Sequence, residues 1–219
     1  LEKASRKQRL SPMWMRARAY CLTASNFGVV MNRKQWTEKG LNNLTATKDL
    51  SRVRAVRYGI ANESDALLRY KETMASAGHP VEVMNCGIFV DPGKPWLGAS
   101  PDAIAFDPHE PFPWGTIEVK CPYSLRDAKK EDILCEDFFV KFDENCTPAL
   151  REDHDHFMQV HGQMGVTHTQ WADFIVFGPH FLIVQRIRFC AQKWKNMASA
   201  LDNFYFNTLL PFHVKKLRH

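Results

Sequence analysis

Two short apolar stretches, GASPDAIAF at 98–106 and GTIEVKCP at 115–122, carry one aspartate, one glutamate and one lysine: Asp102, Glu118 and Lys120. Successive side chains along a strand face opposite ways. Glu118 and Lys120 therefore share one face of TIEVKC, and Ile117, Val119 and Cys121 share the other. A hairpin-like return of the chain would set Asp102, at the start of the preceding strand, beside Glu118. Two carboxylates converging from adjacent strands make a hard-oxygen site suited to Mg²⁺ or Mn²⁺. The chemistry that needs such a site is phosphodiester hydrolysis: the metal neutralises the phosphate, lowers the pKa of a bound water and stabilises the leaving oxygen. The lysine adds a compact cation for the water or the phosphate. A D…ExK pattern also arises by chance in basic soluble proteins, where its residues are the edge of an ordinary strand.

The elements that must position these residues follow from patterning. Ser11-Pro12 opens a short helix through Tyr20, with proline at a tolerated first-turn position. LTASNFGVVM reads as a second short helix, and residues 33–50 as a polar loop. Residues 51–77 read as a long helix, broken near Gly59 and ended by Gly78-His79-Pro80. VEVMNCGIFV reads as one strand, and WLGAS and DAIAF as strands flanking a tight turn. GTIEVKC is the clearest strand, with β-branched residues bounded by Gly115 and Pro122. REDHDHFMQVHGQMGVT reads as a helix, WADFIVF and FLIVQRIRF as a hairpin around Gly178-Pro179, and residues 191–210 as a closing helix ended by Pro211. This order predicts a single mixed α/β domain. Its parts are a helical portion over about 1–78, a sheet core over about 79–190 and a C-terminal helix over about 191–210.

The chain has 219 residues, 45% of them hydrophobic and 24% charged, which is ordinary for one folded domain with a full core. Its net charge of +5 is a weak pointer to a polyanion, but the distribution says more. Residues 1–18 hold Lys3, Arg6, Lys7, Arg9, Arg16 and Arg18 against Glu2 alone. Residues 129–155 hold nine acids against four Lys and Arg, so that segment is expected to face away from a polyanion. The six cysteines include no CxxC pair, and they read as reduced thiols of an intracellular, nuclear or cytoplasmic, protein. No apolar run reaches the length of a membrane span. The chain starts at Leu1, as an excised domain of a longer protein would.

Pro101-Asp102 with Glu118-Val119-Lys120 resembles the PD-(D/E)XK nuclease signature. More narrowly, GASPDA and GTIEVKCP resemble the YqaJ-type viral recombinase family that includes phage lambda exonuclease. Trp14, Arg18 and Ser25 match its W-x3-R-x6-S pattern, and Gly59 and Glu63 its GxxxE. Arg126 matches an arginine six residues past the lysine, and Gln159 a helical glutamine. Ala103 departs from the glycine the family often has there. The resemblance extends over about Trp14 to Phe189. It implies a restriction-endonuclease-like core, a central mixed sheet flanked by helices. It implies Asp102 and Glu118 as metal ligands, the Val119 carbonyl as a third, Glu63 supporting a metal directly or through water, and Lys120 serving the nucleophilic water. It implies Arg18, Ser25, Ser100 and Arg126 as a pocket for a terminal 5′-phosphate, with Gln159 lining the channel. The expected activity is Mg²⁺-dependent 5′→3′ exonuclease action on linear duplex DNA ends, with Mn²⁺ substituting. A single-strand annealing protein and further copies of the chain are the expected partners. An endonuclease on DNA or RNA is the alternative enzyme, and a nucleic-acid-binding module of a larger viral or mobile-element protein the alternative outside catalysis.

Other features weigh less. Asp153-His154-Asp155-His156 reads as a polar helix entrance rather than a metal site, and His161 is placed where it could line the cleft. Trp14, Trp171 and Trp194 read as core. Trp114 is a candidate to stack on bases, and Trp36 is open between stacking and core. The proline-containing insert at 107–115 is expected to reshape the rim of the cleft. Nothing resembles a nucleophile elbow or a Gly-rich phosphate loop.

Overall fold

The computed structural model describes residues 1–46, 50, 52–128, 133 and 138–217. Helix α1 spans Pro12–Tyr20, capped by the Ser11 hydroxyl, which accepts the Trp14 N–H at 3.4 Å. The two-residue strand β1, Leu22–Thr23, leads through a 3₁₀ turn into α2, Phe27–Asn32. The segment expected to be a loop holds a helix instead: α3, Glu38–Thr45. The Thr37 hydroxyl caps it by accepting the Gly40 N–H at 3.1 Å, and Leu41 is its buried apolar contact. Leu44, three residues on, packs against the same core, but one pair of leucines at helical spacing is too short a pattern to separate a helix from a polar loop.

Helix α4 runs unbroken over Arg54–Ser76, so Gly59 does not interrupt it. A methyl group at Gly59 would meet only the Cys121 carbonyl, at 4.0 Å, and the helix passes the end of a strand there. The stretch VEVMNCGIFV splits into β2, Glu82–Met84, and β3, Phe89–Asp91. Strands β4, Lys94–Ala99, and β5, Ala103–Phe106, likewise belong to different sheets rather than one hairpin. Both connections are places where the chain changes sheet. At the first, a Cβ on Gly87 would fall 2.2 Å from the Glu2 carbonyl and the Ser5 hydroxyl, so only glycine lets the N-terminal segment pass this close. That segment is stitched down where Gln8 donates to the carbonyls of Cys86 at 3.2 Å and Pro101 at 2.9 Å.

The middle strand of the central sheet is β6, Trp114–Lys120. Short strands β7, Val140–Phe142, and β8, Pro148–Leu150, form a separate pair. Helix α5, Asp155–Thr167, precedes the hairpin of β9, Trp171–Gly178, and β10, Phe181–Arg188. Helix α6, Ala191–Phe204, runs through a π turn at Tyr205–Leu209 into α7, Leu210–Leu217. Pro211 therefore does not end the closing helix. It is the second residue of α7, directly after the π turn that interrupts the regular α-helical bonding.

The central sheet has the order β10-β9-β6-β5-β2, with β6 and β9 parallel and the other pairs antiparallel. A smaller sheet, β1-β4-β3, stands beside it. Period-two alternation gives the central sheet two covered faces. Ile117, Val119, Trp171 and Ile175 pack with Ala66 and Tyr70 of α4. Ala172, Phe174 and Val176 pack with Phe157, Val160 and Met164 of α5. The N-terminal portion thus contributes a strand as well as helices.

The insert at 107–115 lies away from the expected cleft. Because β5 and β6 are antiparallel, it joins them at the end opposite Asp102 and Lys120. Arg186 holds it there, donating to Asp107 at 2.5 Å and Glu110 at 2.8 Å, while its other nitrogens donate to Asp173 at 2.9 and 2.8 Å. Trp171, beneath the Arg186 guanidinium, donates to the Phe112 carbonyl at 2.8 Å. Trp114 is exposed at this far end against Phe106, away from the carboxylates. Trp36 packs on Phe204 and belongs to the core. The five cysteines among the described residues are free thiols, and no helix among those residues is long and apolar enough to cross a membrane.

Candidate active site

Asp102 closes the register of the β5–β6 pair. The last aligned partners are Ala103 and Ile117, and the Asp102 N–H donates to the Ile117 carbonyl at 3.0 Å. This sets Asp102 opposite Glu118, and its carboxylate accepts the Val119 N–H at 2.7 Å. Glu118 and Lys120 share the β6 face that α5 covers. Lys120 Nζ donates to Glu118 Oε1 at 2.6 Å and to Gln159 Oε1 at 3.2 Å. The Gln159 amide returns a hydrogen bond to Glu118 Oε1 at 2.5 Å, and Gln163 donates to Glu118 Oε2 at 2.6 Å. Gln159 and Gln163 are one helical turn apart, so both reach the same strand. Sequence reasoning singled out Gln159 and missed Gln163, although the four-residue spacing was there to read.

Charge is concentrated at this point. Burial, then the neighbouring charges of Glu118 and Glu63, push the Asp102 carboxyl well above the ordinary aspartate range. Glu63, half-buried on α4, is pushed up by burial as well, with Glu118 adding to the effect and Arg9 and Lys120 opposing it. Burial works to discharge Lys120, but Glu118, Asp102 and Glu63 outweigh it and hold its ammonium above the usual lysine range. Three carboxylates against one lysine is an acidic excess that a hard cation would relieve. Among the described residues no three His, Cys, Asp or Glu side chains are gathered tightly enough to enclose an ion. Asp102 and Glu118 with the Val119 carbonyl remain a fitting donor set for an ion that keeps much of its water, as Mg²⁺ does.

Beside this cluster stands a second one. Arg18 on α1 donates to the Ser25 hydroxyl at 3.3 Å, and Thr23 lies 3.2 Å from the same oxygen. The Arg18 guanidinium covers the Trp14 ring at 4.5 Å, and the Trp14 N–H donates to Ser100 at 2.8 Å, two residues before Asp102. Burial holds the Arg18 pKa below the usual arginine range, against the pull of Cys21 and Glu118. Trp14 thus links Arg18 to Ser100 rather than serving as plain core. Arg126 is turned elsewhere. It pairs with Asp127 at 3.1 Å, donates to the Tyr123 carbonyl at 3.0 Å and covers the Tyr123 ring at 4.3 Å.

The histidines divide. His161 is fully buried, sandwiched between Phe157 and Phe189 with Nε2 at 3.1 Å from the Cys190 carbonyl, so it does not line the cleft. His154 caps α5, its Nδ1 accepting the His156 N–H at 3.1 Å. Burial, then Lys120 and His154, lower the His156 pKa to about 3. Lys120 is thus within electrostatic reach of His154 and His156 at the start of α5, and Asp155 between them accepts from Asn32 at 2.7 Å. Most of residues 129–137 lie outside the described residues.

A mixed sheet with helices on both faces, and a carboxylate pair and lysine on neighbouring strands, is a restriction-endonuclease-like α/β domain. The chain belongs to the YqaJ-like viral recombinase domain family, whose model matches residues 13–170. Solved structures share its fold. An alkaline exonuclease from Laribacter hongkongensis in complex with dAMP is 21% identical, over 95% of this chain and 97% of that one, with a TM-score of 0.68. The shutoff and exonuclease protein of Kaposi's sarcoma-associated herpesvirus, SOX, in an RNA complex is 13% identical over 96% and 74%, with a TM-score of 0.62. In a DNA complex it is 14% identical over 96% and 71%, with a TM-score of 0.59. Comparison with the curated proteins finds no match.

Proposed function

We propose that the chain is a metal-dependent DNA nuclease, a 5′→3′ exonuclease that degrades the ends of linear duplexes during recombination. The observation that carries this reading is adjacency. Asp102, Glu118 and Lys120 meet on one strand pair, and Ser100, two residues before Asp102, joins them through Trp14 to Arg18 and Ser25. Asp102, Glu118 and the Val119 carbonyl would hold Mg²⁺, or Mn²⁺ in its place, with Glu63 supporting it through water. Once bound, the ion supplies charge neutralisation at the phosphate and a more acidic water. Lys120 keeps its ammonium, donating to Glu118 and Gln159, and is poised to orient the attacking water. Gln159 and Gln163 fix the Glu118 carboxylate so that it does not follow the lysine.

Arg18 and Ser25, with Ser100 beside them, supply donors for a terminal 5′-phosphate, a task that suits a guanidinium. Holding one phosphate there leaves only the next phosphodiester at the carboxylates, which gives direction to the cutting. Arg126 would complete the clamp by leaving Asp127. The 3′ single strands left behind suit an annealing protein as partner. The runner-up, an endonuclease on DNA or RNA, is kept because SOX of the same fold has been solved with both nucleic acids.

A digest of end-labelled linear duplex, circular duplex and RNA, each with Mg²⁺ and with EDTA, tests the reading. Linear DNA consumed with Mg²⁺ alone, beside intact circles and intact RNA, is the expected result. Cut circles or cut RNA favour the runner-up, and cleavage in EDTA overturns the metal.

A further inference from the structure

A cavity of about 540 Å³ opens beside the Arg18 clamp, between α1, the start of α4 and the π turn of the closing helix. That volume falls among small-molecule sites of about 300–1,000 Å³ and far exceeds what a phosphate group fills. Arg9, Arg18, Trp14 and Tyr20 line it, with Ile60 and Leu209 among its apolar walls. No aspartate or glutamate is among the described lining residues. Two guanidiniums, two aromatic rings and aliphatic walls match an anion joined to a flat, largely apolar body, which is the chemistry of a nucleotide. The position matters as much as the composition. Arg18 and Trp14 belong both to the cavity and to the clamp, and Arg18 lies within the electrostatic reach of Glu118.

We propose that this cavity is a chamber for one nucleoside of the strand being cut, on the 5′ side of the clamped phosphate. The inference rests on the nuclease reading above. The clamp is then a waypoint and not the end of the channel. A strand with a 5′-phosphate puts that terminal group at Arg18, leaves the chamber empty and loses mononucleotides. A strand ending in a 5′-hydroxyl has no terminal phosphate to offer. Its first internal phosphate takes the clamp, and its terminal nucleoside enters the chamber. The bond hydrolysed is then the second phosphodiester. Water's oxygen joins the phosphorus, the P–O3′ bond breaks, and the O3′ departs with a proton. The first product is a dinucleoside monophosphate with a 3′-hydroxyl, and the remaining strand carries the new 5′-phosphate.

The test compares two linear duplexes that differ only in a 5′-phosphate or 5′-hydroxyl on one strand, with the earliest products identified by mass. The expected first products are a mononucleotide from the phosphorylated end and a dinucleoside monophosphate from the hydroxyl end. Ile60→Trp, which fills the chamber from the half-exposed face of α4, is expected to lower the hydroxyl-to-phosphate rate ratio about tenfold. The ratio is read on one preparation, so a loss of folded protein cancels. A free nucleoside as first product from the hydroxyl end, no attack on that end while the phosphorylated one is consumed, or an unchanged ratio in Ile60→Trp overturns the chamber alone. Failure to cut either end overturns the nuclease reading, and the chamber with it.

Discussion

Asp102 stands opposite Glu118 across β5 and β6, its carboxylate held by the Val119 N–H at 2.7 Å. The two acids come from separate strands but are fixed by one backbone ladder, so neither can drift without breaking the sheet. Exchanging one oxygen for nitrogen, as in Asp102→Asn or Glu118→Gln, keeps shape and removes charge. Each is expected to lower cleavage at least about 100-fold, the scale of losing a preorganised electrostatic group. Lys120→Ala is expected to do the same. Circular dichroism and duplex binding are expected to stay near the parent's. Activity unchanged in all three variants would remove these residues from the chemistry.

Gln163 offers a subtler test. It is buried, and its amide holds Glu118 Oε2 at 2.6 Å. Gln163→Leu strips a charge-assisted donor from a buried carboxylate, a loss of about 1.5–3 kcal/mol. Chemical denaturation should report that loss, and combining the change with Glu118→Gln should cost clearly less than the sum of the two. Simple additivity would mean the two side chains are not coupled.

Acidity makes a prediction of opposite sign at the two ends of the sheet. The Asp102 carboxyl is raised by burial and by Glu118 and Glu63, so its ionised form costs stability at neutral pH. That cost disappears as pH falls through the raised value. At the far end, Asp107 is pushed up by burial but pulled further down by Arg186, and Glu110 is held down by Arg188. Their contribution is complete above the ordinary values of 3.8 and 4.5 and is lost as pH falls through the lowered ones. Without divalent ions, the melting temperature should rise on mild acidification and then drop. Asp102→Asn should shrink the rise, leaving the part that Glu63 contributes, and add about 1 kcal/mol at neutral pH, as relaxing a strained functional site does. A melting temperature that only falls from neutral pH downward, equally in both proteins, would count against the electrostatic picture.

Arg186 carries the opposite balance. It joins Asp173, Asp107 and Glu110, and Tyr70 donates to Asp173 at 2.5 Å. Removing it leaves buried acids without a counter-charge. Arg186→Met is expected to cost about 3–5 kcal/mol in denaturant unfolding. Any folded fraction should keep its cleavage products, since the network lies at the sheet end away from Lys120. A change in product pattern at unchanged stability would contradict that separation.

Legibility in the sequence followed locality. Strand β6 announced itself through β-branched residues between Gly115 and Pro122, and α5 and the β9–β10 hairpin through their periods. Helix α3 stayed hidden because its apolar face is a single pair, Leu41 and Leu44, in an otherwise polar segment. The sheet changes at 85–88 and 100–102 stayed hidden because a strand's partner is not written in its own residues. The π turn stayed hidden because proline there reads as a stop. The Arg186 network joins residues 79 positions apart, so no local signal marks it. In the site, the strand alternation exposed Glu118 and Lys120, whereas Arg126 was placed by spacing alone. Spacing fixes a residue along the chain and says nothing of where its side chain turns.

That distinction makes Arg18 and Arg126 unequal. Arg18 is half-buried and already on Ser25, whereas Arg126 spends its charge on exposed Asp127. An exposed pair of that kind is worth about 0–1 kcal/mol, so little holds Arg126 away from an arriving phosphate. A charged hydrogen bond to the phosphate is worth about 1.5–3 kcal/mol, enough to draw it across. Arg18→Ala should therefore slow degradation of 5′-phosphorylated ends by about tenfold or more. Arg126→Ala should slow it less, because its side chain must first be recruited. Initial rates on duplexes with and without the 5′-phosphate check both, and the parent is expected to prefer the phosphorylated end. Equal rates on the two ends in the parent would dismiss the clamp, whatever the variants did.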